Sequence, residues 1–219
     1  MANPDHLNQL RSGQWNEWRD ANPALAPDLI DADLAGQDLH GLNLSKAHLR
    51  GADFRGANLN NADLSRAVIE GAQFANATLV ETKLESTQLD FLNLSDLDMT
   101  GASLFRSTLR GANLTRTNLR RADLSQSQMD SALFDRADLS GAKMQGASLR
   151  GGRFDGAILR GVEGKSALLD GVEMQNLSME GADFSDAQGD NAQFKGCRLQ
   201  RASFHSAALR AANFHGSLL

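Results

Sequence analysis

The side chains able to do chemistry in this chain are few and scattered. There are five His (His6, His40, His48, His205 and His215), one Cys (Cys197), and carboxylates such as Asp53, Asp63, Asp123 and Asp183 that recur in Ala-Asp units. A metal site would need several such ligands to converge within about 2 Å of one ion, and no spacing here suggests it. No P-loop is present, and no G-x-G-x-x-G stands between a strand and a helix. What the chain does carry is patterned charge, which is the chemistry of binding. Residues 1–100 hold 7 Lys+Arg against 15 Asp+Glu, whereas residues 101–219 hold 15 against 12, within an overall charge of −5. Arg106, Arg110, Arg116, Arg120 and Arg121 form a run with no acidic residue between the first and last. The chain therefore has an acidic N-terminal half and a basic belt just past its middle.

The element that must position these charges announces itself as a pulse. From Leu29 to Leu219 a large apolar residue occurs every fifth position without an insertion; 37 of these 39 beats are Leu, Phe, Met or Ile, the exceptions being Gly164 and Gly189. Two positions before the beat stands a small residue (Ala, Ser, Thr, Gly or Cys) in 31 cases. On an α-helix, five residues advance about 500°, which spreads successive beats around the whole surface. In a flat strand an odd repeat puts successive beats on opposite faces. The chain must therefore bend once per pentapeptide, as in a solenoid whose units bury their apolar faces only by stacking.

The aromatic residues set the number of pentapeptides per coil. Eight of the ten Phe occupy beats, and six of them, Phe54, Phe74, Phe134, Phe154, Phe194 and Phe214, share one class of a twenty-residue period. Aromatic rings gain by stacking on their like, so each coil is expected to be a square of four pentapeptides. At about 4.8 Å per coil, just under ten coils make a rod on the order of 45 Å long. His205 and His215, ten residues apart, then fall on opposite faces. A square packed with Leu and Phe also leaves no cleft for a substrate.

The units Ala52-Asp53-Phe54, Ala57-Asn58-Leu59, Ala62-Asp63-Leu64 and Ala112-Asn113-Leu114 resemble the A(D/N)LXX motif of pentapeptide-repeat proteins. The resemblance covers residues 29–219. It implies an all-β fold, a right-handed quadrilateral parallel β-helix. It also implies two possible roles: non-enzymatic protection of DNA gyrase or topoisomerase IV from a poison by mimicry of duplex DNA, or a structural or adaptor role toward another protein. Asp53, Glu70 and Asp90 on the acidic half, and Arg116, Arg120 and Arg121 on the basic belt, are the candidate partner-binding residues. Direct nucleic-acid binding by the belt is disfavoured because an overall acidic chain repels a duplex. No cofactor is expected.

Residues 1–26 differ in character from the repeat, which occupies 27–219. Leu7, Leu10, Trp15 and Trp18 fall at helical spacings, with Asp5 available as N-cap and Asn22-Pro23 as the stop. The expectation is one short amphipathic capping helix over the open end of the solenoid. The stretch from Trp15 to Leu29 also resembles the leader that precedes the repeats in bacterial members.

Two places break the pattern while keeping its register. Leu92 and Leu97 fill small positions, with Phe91 in an outward slot, so that coil should swell or expose an apolar spot; Gly164 lies between Met144 and Phe184 in its column, and long neighbours should fill the space. One outward column reads Arg50, Glu70, Asp90, Arg110, Asp130, Arg150, Asp170, Asp190, Arg210, the expected makings of a cross-coil ion-pair ladder.

The register runs to Leu219, which leaves strand edges and the ends of the apolar columns at the last coil. A tail-to-tail homodimer through Leu209, Phe214, Leu218 and Leu219 follows as an expectation. A lone buried thiol, no signal segment and no long apolar run point to the cytoplasm and away from membranes.

Overall fold

The structure is a computed structural model describing residues 1–219. It opens with two short helices, α1 (Pro4–Arg11) and α2 (Trp15–Ala21), where the sequence pattern suggested one. The break falls at Ser12-Gly13: Gly13 takes φ +78°, and the Ser12 hydroxyl turns back to donate to Gln9 O at 2.6 Å. Asn3 rather than Asp5 caps α1, its side chain accepting the N–H groups of Asp5 and His6 at 2.9 and 3.4 Å. Pro4 at the first helical position needs no N–H partner, and Asp5 stands inside the first turn, favourable toward the helix dipole. α2 ends at Ala21, with Asn22 disfavoured from helix by Pro23.

Helix α2 lies against the start of the repeat. Trp15 is buried and donates its indole N–H to Asn43 O at 2.8 Å. The Asn16 side chain donates to Gly41 O and accepts from Asn43 N at 3.0 and 2.8 Å, while Arg19 donates to Leu25 O at 2.6 Å and Ser45 O at 3.1 Å.

From Asp28 onward, 33 parallel bridges join each residue preceding a beat to the residue twenty positions later. Each coil is therefore four pentapeptides with four faces. The beats Leu29, Leu49 and Ile69 belong to face 1, Leu34, Phe54 and Phe74 to face 2, Leu39, Leu59 and Leu79 to face 3, and Leu44, Leu64 and Leu84 to face 4. Beat residues and the small residues two before them point inward and form one continuous core of 61 residues together with Leu10 and Trp15. On face 2 the aromatic rings stack in pairs: Phe54–Phe74 at 5.1 Å, Phe134–Phe154 at 4.6 Å and Phe194–Phe214 at 4.9 Å, none tilted by more than 15°.

The corner is made two residues after every beat, where φ is positive at 22 non-glycine residues and at every repeat glycine in that place. The left-handed region costs a residue with a Cβ about 1–2 kcal/mol, and the adjoining Asp or Asn helps hold the turn. Asp53, Asp63, Asp123 and Asp183 each accept, through Oδ1, the N–H two residues on, at 2.9–3.0 Å. At the Gly111 corner the Phe91 ring lies so close that a Cβ would meet it at 2.7 Å, so a side chain there would have to displace the ring.

The ladder opens in one region. The bridges Val68/Gln88 and Gln73/Asn93 are absent from an otherwise continuous series. So are the hydrogen bonds that Ile69, Gly71, Phe74 and Asn76 would donate to the coil above and that Gln88, Asn93 and Asp98 would donate to the coil below. Leu92 and Leu97 stand here at positions where the coil below has Ala72 and Ala77. Their extra volume in a close-packed interior wedges the coils apart. Elsewhere Leu occupies this small position only at Leu42 and Leu177, and isolated ladder bonds are missing beside each: Leu44 N bonds Leu42 O instead of the coil above, and Ser178 N is left without Ala157 O. Ala72 and Leu92, both inward, keep 7% of their surface exposed at the opened seam.

Candidate protein-interaction faces

The twenty-residue register places every charged side chain on a known corner or face. Glu70 and Asp90 stack on successive coils at the corner between faces 1 and 2, and Asp53 stands on adjoining face 2 one coil lower than Gln73. Arg116 lies at the corner between faces 2 and 3, and Arg120 and Arg121 at the corner between faces 3 and 4. The structure therefore brings Glu70 and Asp90 together, but spreads the six candidate residues over three corners and a face.

Most of the basic belt is engaged by carboxylates of this same chain. Arg116 holds Asp96 through two bonds of 2.5 and 2.7 Å, Arg120 reaches Asp138 at 3.2 Å, and Arg110 lies 4.0 Å from Asp90 and 3.9 Å from Asp130. Arg106 donates to Gln126 at 2.8 Å and stacks over Phe105. Of the belt, Arg106 and Arg121 make no ion pair. The Arg116 guanidinium holds the Asp96 carboxyl below its usual value. At Asp138, burial pushes upward but is outweighed by the hydroxyl and N–H of Ser140 and by Arg120, so its pKa is also lowered. The outward charge column pairs in part, with Arg150–Asp170 at 2.9 Å and Arg210–Asp190 at 3.6 Å, whereas Arg50 and Glu70 form no ion pair.

The N-terminal half is different. Asp53 is clamped by Arg55 at 2.6–3.0 Å, and its carboxyl is held low by that guanidinium. Asp33, Asp38, Asp63, Glu70, Glu81 and Glu85, by contrast, have no ion-pair partner. They are distributed around all four sides of the rod. Lys46, Arg50, Arg66 and Lys83 in the same stretch are unpaired as well, so this half is negative because its carboxylates outnumber its cations; surface pairs contribute at most about 1 kcal/mol each.

No three His, Cys, Asp or Glu side chains are grouped to hold a metal ion, and no helix is long and apolar enough to cross a membrane. The Cys197 thiol is buried and donates to Met174 O at 2.9 Å, and burial raises its pKa. Leu209, Phe214, Leu218 and Leu219 all lie on the coil 200–219 but on three of its faces, Leu209 and Phe214 packed against the core and Leu218 and Leu219 exposed.

A family described as Pentapeptide repeats matches in 8 copies, over residues 28–66, 67–105, 98–135, 112–151, 122–161, 153–186 and 190–219. The chain is a pentapeptide-repeat protein. Its four-faced coil is the right-handed quadrilateral β-helix of that family, whose members are typically structural or binding proteins. Among solved pentapeptide-repeat structures, HetL from the cyanobacterium Nostoc sp., involved in regulating heterocyst differentiation, is similar at 29% identity, with 99% of this chain and 96% of that one covered and a TM-score of 0.54. Rfr23 from the cyanobacterium Cyanothece is similar at 21% identity over 56% of this chain and 63% of that one, TM-score 0.32. QnrB1, a plasmid-mediated fluoroquinolone resistance protein, is similar at 16% identity over 79% of this chain and 77% of that one, TM-score 0.36. No curated protein matches the sequence.

Seen from the sequence, the acidic and basic halves were visible, but not which charges are spent on each other. Arg116–Asp96 is a same-column pair twenty residues apart. Arg120–Asp138 and Arg153–Asp135 are eighteen apart, on diagonals that depend on side-chain reach.

Proposed function

We propose that this pentapeptide-repeat protein is a non-enzymatic, cytoplasmic binding rod whose acidic half occupies a protein surface built for a polyanion, and that DNA gyrase or topoisomerase IV, thereby protected from a poison, is its partner. The observation that carries this reading is the excess of carboxylates in the N-terminal half, 15 Asp+Glu against 7 Lys+Arg over residues 1–100, with Asp33, Asp38, Asp63, Glu70, Glu81 and Glu85 unpaired, while three of the five belt arginines are held by carboxylates of the same chain. A duplex-binding site attracts negative charge arrayed along a rod. The same pairing disfavours direct nucleic-acid binding by the belt. Two copies joined through the coil 200–219 would place both acidic halves outermost.

The test is gyrase supercoiling in the presence of several unrelated poisons, with binding measured at low salt. The expected result is relief at substoichiometric to equimolar protein, weakened by charge reversal at Asp38, Glu70 and Glu85. Absence of both relief and binding overturns the topoisomerase reading. A second reading, an adaptor that binds another protein, is favoured by the likeness over 99% of this chain to HetL, which is involved in heterocyst differentiation regulation; in that case the same reversals weaken capture of a different partner.

A further inference from the structure

The opened seam has the properties of a binding site that the repeat does not otherwise provide. Below it, Ile69 and Gly71 present unbonded N–H groups and Ala67 an unbonded carbonyl; above it, Gln88 and Asp90 present unbonded carbonyls. These are two strand edges facing one another, and unpaired backbone groups removed from water are costly unless something pairs with them. Between them lies a cleft of about 550 Å³, lined by Val68, Ile69, Glu70, Gln88, Asp90 and Phe91 among others. This is within the range of ligand-binding pockets. Phe91 is 81% exposed and Val68 46%, although both sit on a rod whose other large side chains are mostly interior.

Two carboxylates stand at the mouth of the cleft. Glu70 on the lower coil and Asp90 on the upper are like charges in one column; Arg110 meets Asp90 from the coil above, its N–H at 2.8 Å and its guanidinium at 4.0 Å, while Glu70 has no ion pair. Arg66, at the other end of face 1 on the same coil as Glu70, is the one cationic lining residue. A cationic side chain entering between Glu70 and Asp90 would relieve their repulsion and lie beside the exposed Phe91 ring, where a cation–π contact is available.

We propose that the seam between residues 67–77 and 88–98 docks an extended, basic peptide segment of a partner protein, which adds as a β-strand to the open edges and places a Lys or Arg between Glu70 and Asp90. Strand addition supplies affinity through the main chain and selectivity through alternate side chains. The wedge residues Leu92 and Leu97 create the site by holding the coils apart. This proposal is independent of gyrase being the partner.

The test uses the full chain and a fluorescently labelled peptide of alternating Lys and Val, with an alternating Glu and Val peptide as control. In the free protein the amides of Ile69, Gly71, Phe74, Gln88 and Asn93 are expected to exchange with solvent faster than those of neighbouring coils, and the Lys–Val peptide is expected to protect them. Glu70→Lys with Asp90→Lys should weaken that peptide by at least about tenfold, leaving the rest of the exchange pattern unchanged. Leu92→Ala with Leu97→Ala should close the ladder, slow exchange at the same amides and abolish binding. Seam amides already protected in the free protein would show a closed ladder and overturn the proposal. So would equal binding of the two peptides, or no binding of the basic one at low salt.

Discussion

The Phe184 ring occupies the space that a side chain at Gly164 would fill: a Cβ built on Gly164 falls 2.4 Å from a ring carbon of Phe184. The missing beat is thus compensated by the coil above. Gly164→Leu is expected to destabilise by about 1–3 kcal/mol through overpacking. In a Phe184→Ala background the same change should cost less or become favourable, because the cavity left by the ring receives the new side chain. Chemical denaturation of the four proteins measures the coupling, and additive effects would contradict the shared volume.

Phe134 is fully buried and stacked on Phe154, whereas Arg120 is exposed and meets Asp138 across the surface. Phe134→Ala should cost about 3–5 kcal/mol, and Arg120→Ala no more than about 1 kcal/mol. Leu119→Ala, at another fully buried beat, should resemble the first. Equal losses at Leu119 and Arg120, neighbours in the chain, would reverse inside and outside.

Those neighbours show how much the sequence discloses. A five-residue pulse and a twenty-residue Phe class suffice to locate faces, core and corner, because a solenoid repeats one local solution and each residue's environment follows from its number. The N-terminal region has no such repetition. There the choice between one helix and two turned on Ser12-Gly13 and on Asn3, whose cap outcompetes Asp5 by reaching past Pro4. At the candidate faces, Leu92 and Leu97 were legible as misfits, but not the side on which the ladder opens. The ladder stays intact above, where Leu97 lies below Thr117, and parts below, where it stands over Ala77. Ion pairing was the least legible feature, since long Arg side chains choose between the column and the diagonal.

Arg19 is almost fully buried, and burial lowers its pKa despite the field of Asp63. Its guanidinium satisfies two carbonyls, those of Leu25 and Ser45. Arg19→Ala leaves both unbonded beside α2, at a cost of about 1–3 kcal/mol each if they stay dry. Trp15, one turn earlier on α2, is buried and bonded to Asn43 O, so loosening of α2 should appear as a red shift of tryptophan emission at temperatures where the repeat's far-ultraviolet dichroism is still intact.

Acid should unfold the rod from its corners and pairs. Asp183, through the Ser185 hydroxyl and N–H, Asp53, through Arg55, and Asp170, through Arg150, all titrate below the ordinary 3.8 in the folded protein. With folded values depressed, the unfolded chain binds more protons in acid, so this stabilisation is complete above the ordinary value and disappears as pH falls through the folded ones. The thermal midpoint should be level from neutrality to about pH 5 and fall below about pH 4. Asp183→Asn keeps an acceptor for the Ser185 N–H and should make that fall shallower.

The coil 200–219 is bonded to the coil before it through contacts such as Leu199 N–Leu218 O at 2.7 Å, while its outer side carries no ladder partner. If two copies pair there, Leu209→Asp with Phe214→Asp should halve the mass seen by light scattering. A wild-type protein that is monomeric at tens of micromolar would refute the pairing.

Because each bridge joins residues twenty apart and each corner is five residues from the next, the chain behaves as an indexing device. Removing twenty residues from its interior would shorten the rod by one storey and leave every downstream face aimed as before. Removing five would still leave every beat and small residue pointing inward yet swing everything downstream through a quarter revolution, so that a deletion between them would take Glu70 out of line with Asp90. Surface pattern can therefore be rearranged by length changes alone, with no substitution, and a partner that reads one side of the rod would register a five-residue deletion far more sharply than stability does.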